Sequence, residues 1–131
     1  MNLLIDTHIF LWLLFKPQKI AKRTIKLLES PENNVFLSDI SLWEISLKYS
    51  IGKLSLDGVV PEQLAPLAET MGIQSLPLST ESASSFHKLP RLKHKDPFDR
   101  MLIWQAIEGK YSLVSNDGNF AEYEQFGLTL A

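Results

Sequence analysis

The sequence predicts a single-domain α/β fold built on a parallel β-sheet. Short apolar runs alternate along the chain with longer stretches in which apolar residues recur at helical spacing, and this alternation is typical of repeated strand–helix units. The first short run is continuously apolar rather than alternating, as expected for a strand that helices cover on both faces. No internal repeat or low-complexity linker interrupts the 131 residues, a length that suits one domain, residues 1–131.

Five short segments are the predicted strands. Each is rich in aliphatic residues and shorter than a typical helix. They comprise residues 3–5, 35–37, 73–78 and 112–114, with residues 128–130 as a last strand at the edge of the sheet. The turn residues Pro31, Asn33 and Asn34 separate the second strand from the helix before it.

Seven segments are the predicted helices, recognised by apolar spacing and by residues typical of helix ends. They comprise residues 8–15, 20–28, 40–51, 61–71, 80–88, 98–108 and the short segment 120–126. The first is apolar nearly all round and is therefore expected to be buried, whereas the second is amphipathic. Gly52, Gly72 and Gly109 suit helix C-termini. Asp96 and Pro97 are a favoured pair at the N-cap and the first helical position.

The composition excludes several classes of protein and site. The chain contains no cysteine, which excludes a disulfide framework, a thiolate metal site and a thiol nucleophile and is compatible with the cytoplasmic location that we expect. The net charge of −2 is not that of a protein that coats nucleic acid. The apolar run 9–15 is far shorter than the ~20 residues that span a bilayer, so it is assigned to the core rather than to a membrane anchor.

Four carboxylates occupy positions that suggest more than surface charge. Asp6 ends the first predicted strand and Asp117 follows the fourth. Because ligands of open parallel sheets bind at the carboxyl ends of the strands, these two side chains are expected to lie at one edge of the sheet. Glu44 lies between apolar neighbours in the helix 40–51, and Asp99 lies in the first turn of the helix 98–108.

A cluster of these four side chains needs a compensating cation. Two unit charges about 4 Å apart repel by roughly 4 kcal/mol at an effective dielectric constant of 20. Mg²⁺ binds carboxylate oxygens and leaves positions for a substrate phosphate. Each of the four also has an ordinary interpretation: Asp6 as a helix cap, Asp99 as a charge at a helix N-terminus, Asp117 as a turn residue, and Glu44 as part of a solvated face. Asp96, a fifth acidic residue, is interpreted as a helix cap.

Four short motifs carry a resemblance to a known family. They are LIDTH at residues 4–8, SLWEI at 41–45, DPFDRMLI at 96–103 and LVSND at 113–117. In this order and spacing they resemble the PIN-domain nucleases, and most of all the VapC-type toxins of bacterial toxin–antitoxin pairs. The resemblance covers essentially the whole chain. It implies a PIN-like three-layer sandwich, with a central, mostly parallel five-stranded sheet flanked by helices.

The resemblance also implies a function and a site. Asp6, Asp99 and Asp117 would bind Mg²⁺ or Mn²⁺, and Glu44 would act with them, through water or by orienting it. Residues expected to support this site are Thr7, Ser38 and Asn116. The substrate would be RNA, cut by a metal-activated water; the partners would be a small antitoxin that blocks the cleft and a second copy of the chain in a homodimer. The role of Asp96 stays open.

A basic connection before the helix 98–108 is a candidate for nucleic-acid binding. Its side chains are predicted to bind the RNA backbone, although a solvated loop is an equally good interpretation. The basic residues are Arg91, Lys93, His94 and Lys95, with Arg100 in the helix that follows. The three tryptophans are predicted to belong to the core rather than to stack on bases; they are Trp12, Trp43 and Trp104.

Two alternatives to a nuclease remain at this point. A small-molecule phosphatase could use Asp6 as a phosphorylated nucleophile, although the pattern of such enzymes has a second aspartate where this chain has His8. A non-catalytic protein-interaction module could have the same fold, because a fold does not determine a function.

Overall fold

A five-stranded, entirely parallel sheet forms the centre of the computed structural model, which describes residues 1–131. The strands are β1 (Asn2–Ile5), β2 (Asn34–Ser38), β3 (Gln74–Leu76), β4 (Ser112–Val114) and β5 (Thr129–Leu130). Their order in the sheet is β3-β2-β1-β4-β5, and each neighbouring pair is parallel. The predicted fold class is therefore confirmed, with β1 at the centre of the sheet.

Helices cover both faces of this sheet. The α-helices are α1 (Thr7–Phe15), α2 (Lys22–Glu29), α3 (Asp39–Ser50), α4 (Leu64–Thr70), α5 (Thr80–Ser85) and α6 (Pro97–Gly109). Short 3₁₀ segments lie at Pro17–Lys19, Pro61–Gln63, Phe86–Lys88 and Gly118–Phe126. None of the helices combines the length and apolar character required to cross a bilayer.

Two apolar cores, one on each face, produce the predicted three-layer arrangement. Alternate side chains of β1 enter different cores: Leu3 and Ile5 pack in the core formed with α1, α2 and α4, and Leu4 packs in the core formed with α6. Both cores are well sealed, since Phe10 of the first and Tyr123 of the second are completely buried. The burial of β1 on both faces explains why its sequence is continuously apolar.

The element boundaries differ from expectation where prolines intervene. The third strand, expected over residues 73–78, ends at Leu76, because Pro77 has no N–H to donate to a neighbouring strand. The helix expected over 80–88 is α-helical only to Ser85 and ends in a 3₁₀ turn. Pro90 disfavours helical backbone at Leu89, the residue before it.

The sheet brings the carboxyl ends of β1 and β4 side by side. Leu4 pairs with Leu113 and Ile5 with Val114, and the amide of Asp6 donates to the carbonyl of Val114 over 3.1 Å. The chain segments after the two strands therefore leave the sheet together. As expected from the strand ends, Asp6 lies at the same edge of the sheet as the segment that leads to Asp117.

Candidate metal and active site

Asp6 lies between β1 and α1 and is the N-cap of α1. Its Oδ1 accepts a hydrogen bond from the amide of Ile9 over 2.8 Å, and only 4% of the residue is exposed. Burial raises the pKa of this carboxyl, and the charge of Asp117 adds to the effect, while Ser115, Ile9 and His8 oppose it. The like charges of Asp6 and Asp117 at the two strand ends thus disfavour each other.

Thr7 connects α1 to the buried carboxylate of Glu44 on α3. Its hydroxyl lies 2.7 Å from Oε1 of Glu44 and 2.9 Å from the hydroxyl of Ser41. A carboxylate only accepts hydrogen bonds and the threonine has a single hydroxyl hydrogen, so Thr7 donates to Glu44 and accepts from Ser41. All three residues are buried, so the alternative interpretation of Glu44 as part of a solvated face is wrong.

Lys48 holds the other oxygen of Glu44. Its Nζ lies 2.5 Å from Oε2 of Glu44, one helical turn away on α3. Burial lowers the pKa of Lys48, but the hydrogen bond and charge of Glu44, together with the charges of Asp96 and Asp99, outweigh burial and raise it. Lys48 is therefore a protonated cation beside the carboxylates, and its spacing of four residues from Glu44 along α3 is the sequence signal for this pair.

Asp96 determines how α6 begins. Its Oδ1 accepts from the amides of Phe98 (2.8 Å) and Asp99 (3.0 Å), and Pro97 occupies the first helical position. This is the N-cap arrangement expected from the sequence. The cap holds Asp99 in the first turn of α6.

Asp99 is paired with His94 from the loop before α6. Nε2 of His94 lies 2.8 Å from Oδ2 of Asp99. Burial raises the pKa of Asp99 to about 6; the charges of Asp96 and Glu44 also raise it, and His94 opposes the shift. Asp99 is thus a carboxylate whose negative charge is poorly compensated by the protein alone, as expected for a side chain that receives a cation.

Asp117 completes the acidic group. Its side chain caps the 3₁₀ segment Gly118–Phe126 by accepting from the amide of Asn119 over 2.9 Å. Single potential ligand atoms of His94, Asp99 and Asp117 all lie within 4.8 Å of one another. The charge of Asp117 also raises the pKa of Asp6, and that of Glu44 raises the pKa of Asp99, so the structure brings the four carboxylates into one electrostatic group.

His94 was expected only as part of the basic connection, and it is placed differently. Its ring packs edge-on against Phe120 at 5.3 Å between centroids, and its amide donates to Oε1 of Glu122 over 3.3 Å. These contacts direct the ring towards Asp99. No sequence spacing indicates this, because the path of the loop before α6 determines it.

The three residues expected to support the carboxylates have different surroundings. Thr7 hydrogen-bonds to Glu44, as described. Ser38 caps α3 by accepting from Ile40 over 3.0 Å, and it donates to Oε1 of the buried Gln105 over 2.6 Å. Asn116 is exposed. Among these residues, only Thr7 directly contacts one of the four carboxylates.

The fold agrees with a comparison against known families. A model of the PIN domain family matches residues 3–125. The chain belongs to the PIN domain family. No curated protein sequence matches it significantly.

Solved structures share the fold of this PIN domain at low sequence identity. VapBC2 from Rickettsia felis, bound to a promoter DNA fragment, is 18% identical with a TM-score of 0.67, over 100% of this chain and 98% of that chain. VapBC-1 from Haemophilus influenzae is 17% identical with a TM-score of 0.68, over 100% and 97%. The PIN domain endonuclease Utp24 is 18% identical with a TM-score of 0.52, over 99% and 85%.

The basic residues of the PIN domain divide into two groups. The exposed ones are Arg91, Lys93 and Lys95. Arg100 instead donates from Nη2 to the carbonyls of Leu89 (3.0 Å) and Pro90 (3.3 Å), and its guanidinium lies 4.9 Å from the ring centre of Phe86. Arg100 therefore anchors the loop that carries the other three, rather than pointing freely to solvent.

Trp43 is an exception to the expectation that the tryptophans belong to the core. It is 61% exposed and packs edge-on against Phe98 at 5.3 Å, whereas Trp12 and Trp104 pack against the two cores. With Leu47 and Ile51, also exposed, it forms an apolar stripe along α3 and its C-cap. Helix α3 has apolar residues on more than one side, so periodicity could not identify the face that meets the sheet.

The raised pKa values predict how stability depends on pH when no divalent ion is bound. A carboxyl whose pKa is raised by folding binds its proton more tightly in the folded state, so it destabilises the fold once the pH exceeds its unfolded value. For Asp99 this cost should develop between its ordinary pKa of 3.8 and the folded pKa of about 6, and the pKa of Asp6 shifts in the same direction.

Thermal unfolding with Mg²⁺ and with EDTA should therefore show that Mg²⁺ stabilises the protein at neutral pH and much less below about pH 5, where protons replace the ion. Asp57→Asn removes a carboxylate away from the acidic group, at an exposed position with φ 47° that asparagine tolerates. This control should respond to Mg²⁺ as the wild type does. Equal stabilisation by Mg²⁺ at both pH values would contradict the assignment of these carboxyls to the ion.

Proposed function

We propose that this PIN domain is a metal-dependent ribonuclease that hydrolyses RNA phosphodiester bonds and is the toxin of a toxin–antitoxin pair. The observation that carries the proposal is the acidic group at the carboxyl edge of the sheet, with ligand atoms of Asp99, Asp117 and His94 within 4.8 Å of one another. A folded protein that gathers carboxylates at such a cost in repulsion normally needs them for a bound cation.

The side chains fit a hard divalent ion. Asp6, Asp99 and Asp117 supply oxygen ligands of the kind that Mg²⁺ and Mn²⁺ prefer. A bound ion of this type would polarise the phosphodiester and lower the pKa of an attacking water. Glu44 would orient that water, and Thr7 and Lys48 fix its carboxylate by holding one oxygen each. His94 would keep Asp99 correctly oriented through their hydrogen bond.

The proposed partners fit the exposed apolar surfaces. A groove of about 360 Å³ beside α1 is lined by His8, Leu11, Trp12, Phe15 and Leu54, among others. His8 follows Asp6 by two residues, so an antitoxin segment bound there would lie next to the acidic group. The apolar stripe of α3 (Trp43, Leu47 and Ile51) suits the interface of a homodimer. Similarity in fold to the VapBC structures supports an antitoxin as the partner.

A cleavage assay tests the proposed activity. Purified protein, freed of any inhibitor, would be incubated with total RNA in Mg²⁺, Mn²⁺ or EDTA. Cleavage with either metal and none in EDTA is the expected result. A folded protein that neither cuts RNA nor binds Mg²⁺ or Mn²⁺ in calorimetry would contradict the proposal and favour the non-catalytic interaction module.

The exposed basic residues should contribute to RNA affinity. Replacing Arg91, Lys93 and Lys95 by glutamine should weaken binding to a non-cleaved RNA and reduce the slope of log affinity against log salt by about 0.7 for each phosphate that is no longer neutralised. Measurements at several salt concentrations would determine this slope. Glutamine at Lys22 and Lys26 on α2 provides a control on another surface, and an unchanged slope in the triple variant would show that the loop is only solvated.

A further inference from the structure

Lys48 is an ammonium group built into the acidic site. Its Nζ is 2.5 Å from Oε2 of Glu44, and 37% of its side chain is exposed against 4% for Glu44. Its protonated form is also favoured by the charges of Asp96 and Asp99 on α6. The lysine therefore bridges α3 and the acidic start of α6 electrostatically.

The Glu44 carboxylate is buried and already has a cation beside it. Oε1 accepts from Thr7 and Oε2 accepts from Lys48, and the residue is 3% exposed. A divalent ion that bound Glu44 directly would approach the ammonium of Lys48, and the two cations would repel each other at short range. The ammonium of Lys48 thus opposes direct ligation of a divalent ion by Glu44.

On the other side of the site, Asp6, Asp99 and Asp117 form no ion pair with a lysine or an arginine, and Asp99 pairs only with His94. Asp99 and Asp117 lie close enough to share one ion, and Asp6 follows β1, which pairs with β4, the strand that leads to Asp117. Two-metal sites hold their ions roughly 3.5–4 Å apart and need carboxylates on both sides. Here the carboxylate on the second side, Glu44, already has a cation bound to it.

We propose that Lys48 takes the place of a second metal ion, so that the site binds one divalent cation through Asp6, Asp99 and Asp117 while Lys48 supplies the positive charge beside Glu44. This inference rests on the proposed function. It specifies a one-metal site and gives Lys48 a defined role: it neutralises Glu44 and excludes a second ion.

Counting bound Mn²⁺ tests the proposal. The number of ions per chain would be measured by calorimetry and by the electron paramagnetic resonance signal of free Mn²⁺, for the wild type, Lys48→Met and Lys48→Arg. The wild type and Lys48→Arg should bind one ion. Lys48→Met, which keeps the length of the side chain without its charge, should bind two, because Glu44 is then free to ligate. Lys53→Met, at an exposed position nearby, is the control and should bind one.

A double variant tests whether any extra Mn²⁺ bound by Lys48→Met is held by Glu44 rather than by partly unfolded protein. Glu44→Gln combined with Lys48→Met leaves no buried unpaired charge at this position and removes the ligand for a second ion, so it should return to one ion. Two ions in the wild type, or one ion with unchanged affinity in a folded Lys48→Met, would overturn the role of Lys48. A wild type that binds no Mn²⁺ would instead refute the proposed function itself.

Discussion

Replacing Asp99 by asparagine should abolish RNA cleavage while leaving the protein folded. Asparagine keeps the shape of the side chain but lacks the charge that would hold the divalent ion beside Asp117. Changes to groups that only orient metal ligands already cost roughly 10–100-fold in metal affinity or activity, so loss of a ligand should cost more than about 100-fold. The measurement is the initial rate of cleavage at saturating Mg²⁺, with circular dichroism to check the fold.

The same substitution should stabilise the metal-free protein at neutral pH. Folding raises the pKa of Asp99 from 3.8 to about 6, so the ionised carboxylate destabilises the folded state above that pH. Removing this charge should therefore raise the free energy of unfolding by on the order of 1 kcal/mol. The gain is no larger because solvent screens the charge and because the variant loses the ion pair with His94. An active site that is built for a cation should become more stable when its charge is removed, and Mg²⁺ should no longer raise the melting temperature of the variant.

Asp6 provides a second test of the same assignment. Asparagine is as good an N-cap as aspartate, so Asp6→Asn should keep the hydrogen bond from Ile9 and the start of α1. Its cleavage activity should nevertheless be lost. Asp6→Ala should additionally lose about 1 kcal/mol of stability, because the cap disappears. Normal cleavage by both Asp6→Asn and Asp99→Asn would show that these carboxylates are not required for catalysis.

Most of the fold could be predicted from the sequence because its local signals agree with its tertiary structure. Residues 3–5 are apolar throughout and prove to be the central strand, buried on both faces. Asp96 and Pro97 identify the start of α6 within one residue. The order of the strands could not be predicted in this way. No local pattern determines which strand lies beside β1, because this depends on how whole helices pack against the sheet.

The candidate site was predictable where it follows from strand ends and helix caps. Asp6 and Asp117 are examples, since parallel strands end at one edge of the sheet. The contact of His94 was not identified, and the i, i+4 spacing places Lys48 on the helical face of Glu44 without showing that the pair belongs to the site. The contact of His94 with Asp99 depends on the path of the loop before α6, and the pairing of Lys48 with Glu44 matters only because Glu44 is buried. Both facts require tertiary structure, as does the exposure of Trp43.

Thr7→Val should destabilise the protein more than the asparagine substitutions of Asp6 and Asp99 do. Valine has nearly the same shape as threonine but cannot donate to Oε1 of Glu44, which lies 2.7 Å from the hydroxyl and is buried. Hydrogen bonds to charged groups contribute about 1.5–3 kcal/mol, so a loss of this size is expected. Urea unfolding of the metal-free variants should show it as a lower midpoint with an unchanged slope.

The matched control is Thr70→Val, because Thr70 is exposed and its hydroxyl donates only to the carbonyl of Leu67. Thr7→Ser should restore the hydrogen bond to Glu44 and most of the stability. If Glu44 orients the attacking water, Thr7→Val should also lower the cleavage rate about 10–100-fold, as for other residues that orient a catalytic group. A loss of stability without any loss of rate would mean that the Thr7–Glu44 pair joins α1 to α3 only as a structural contact, and Glu44 would then have to act without a fixed orientation.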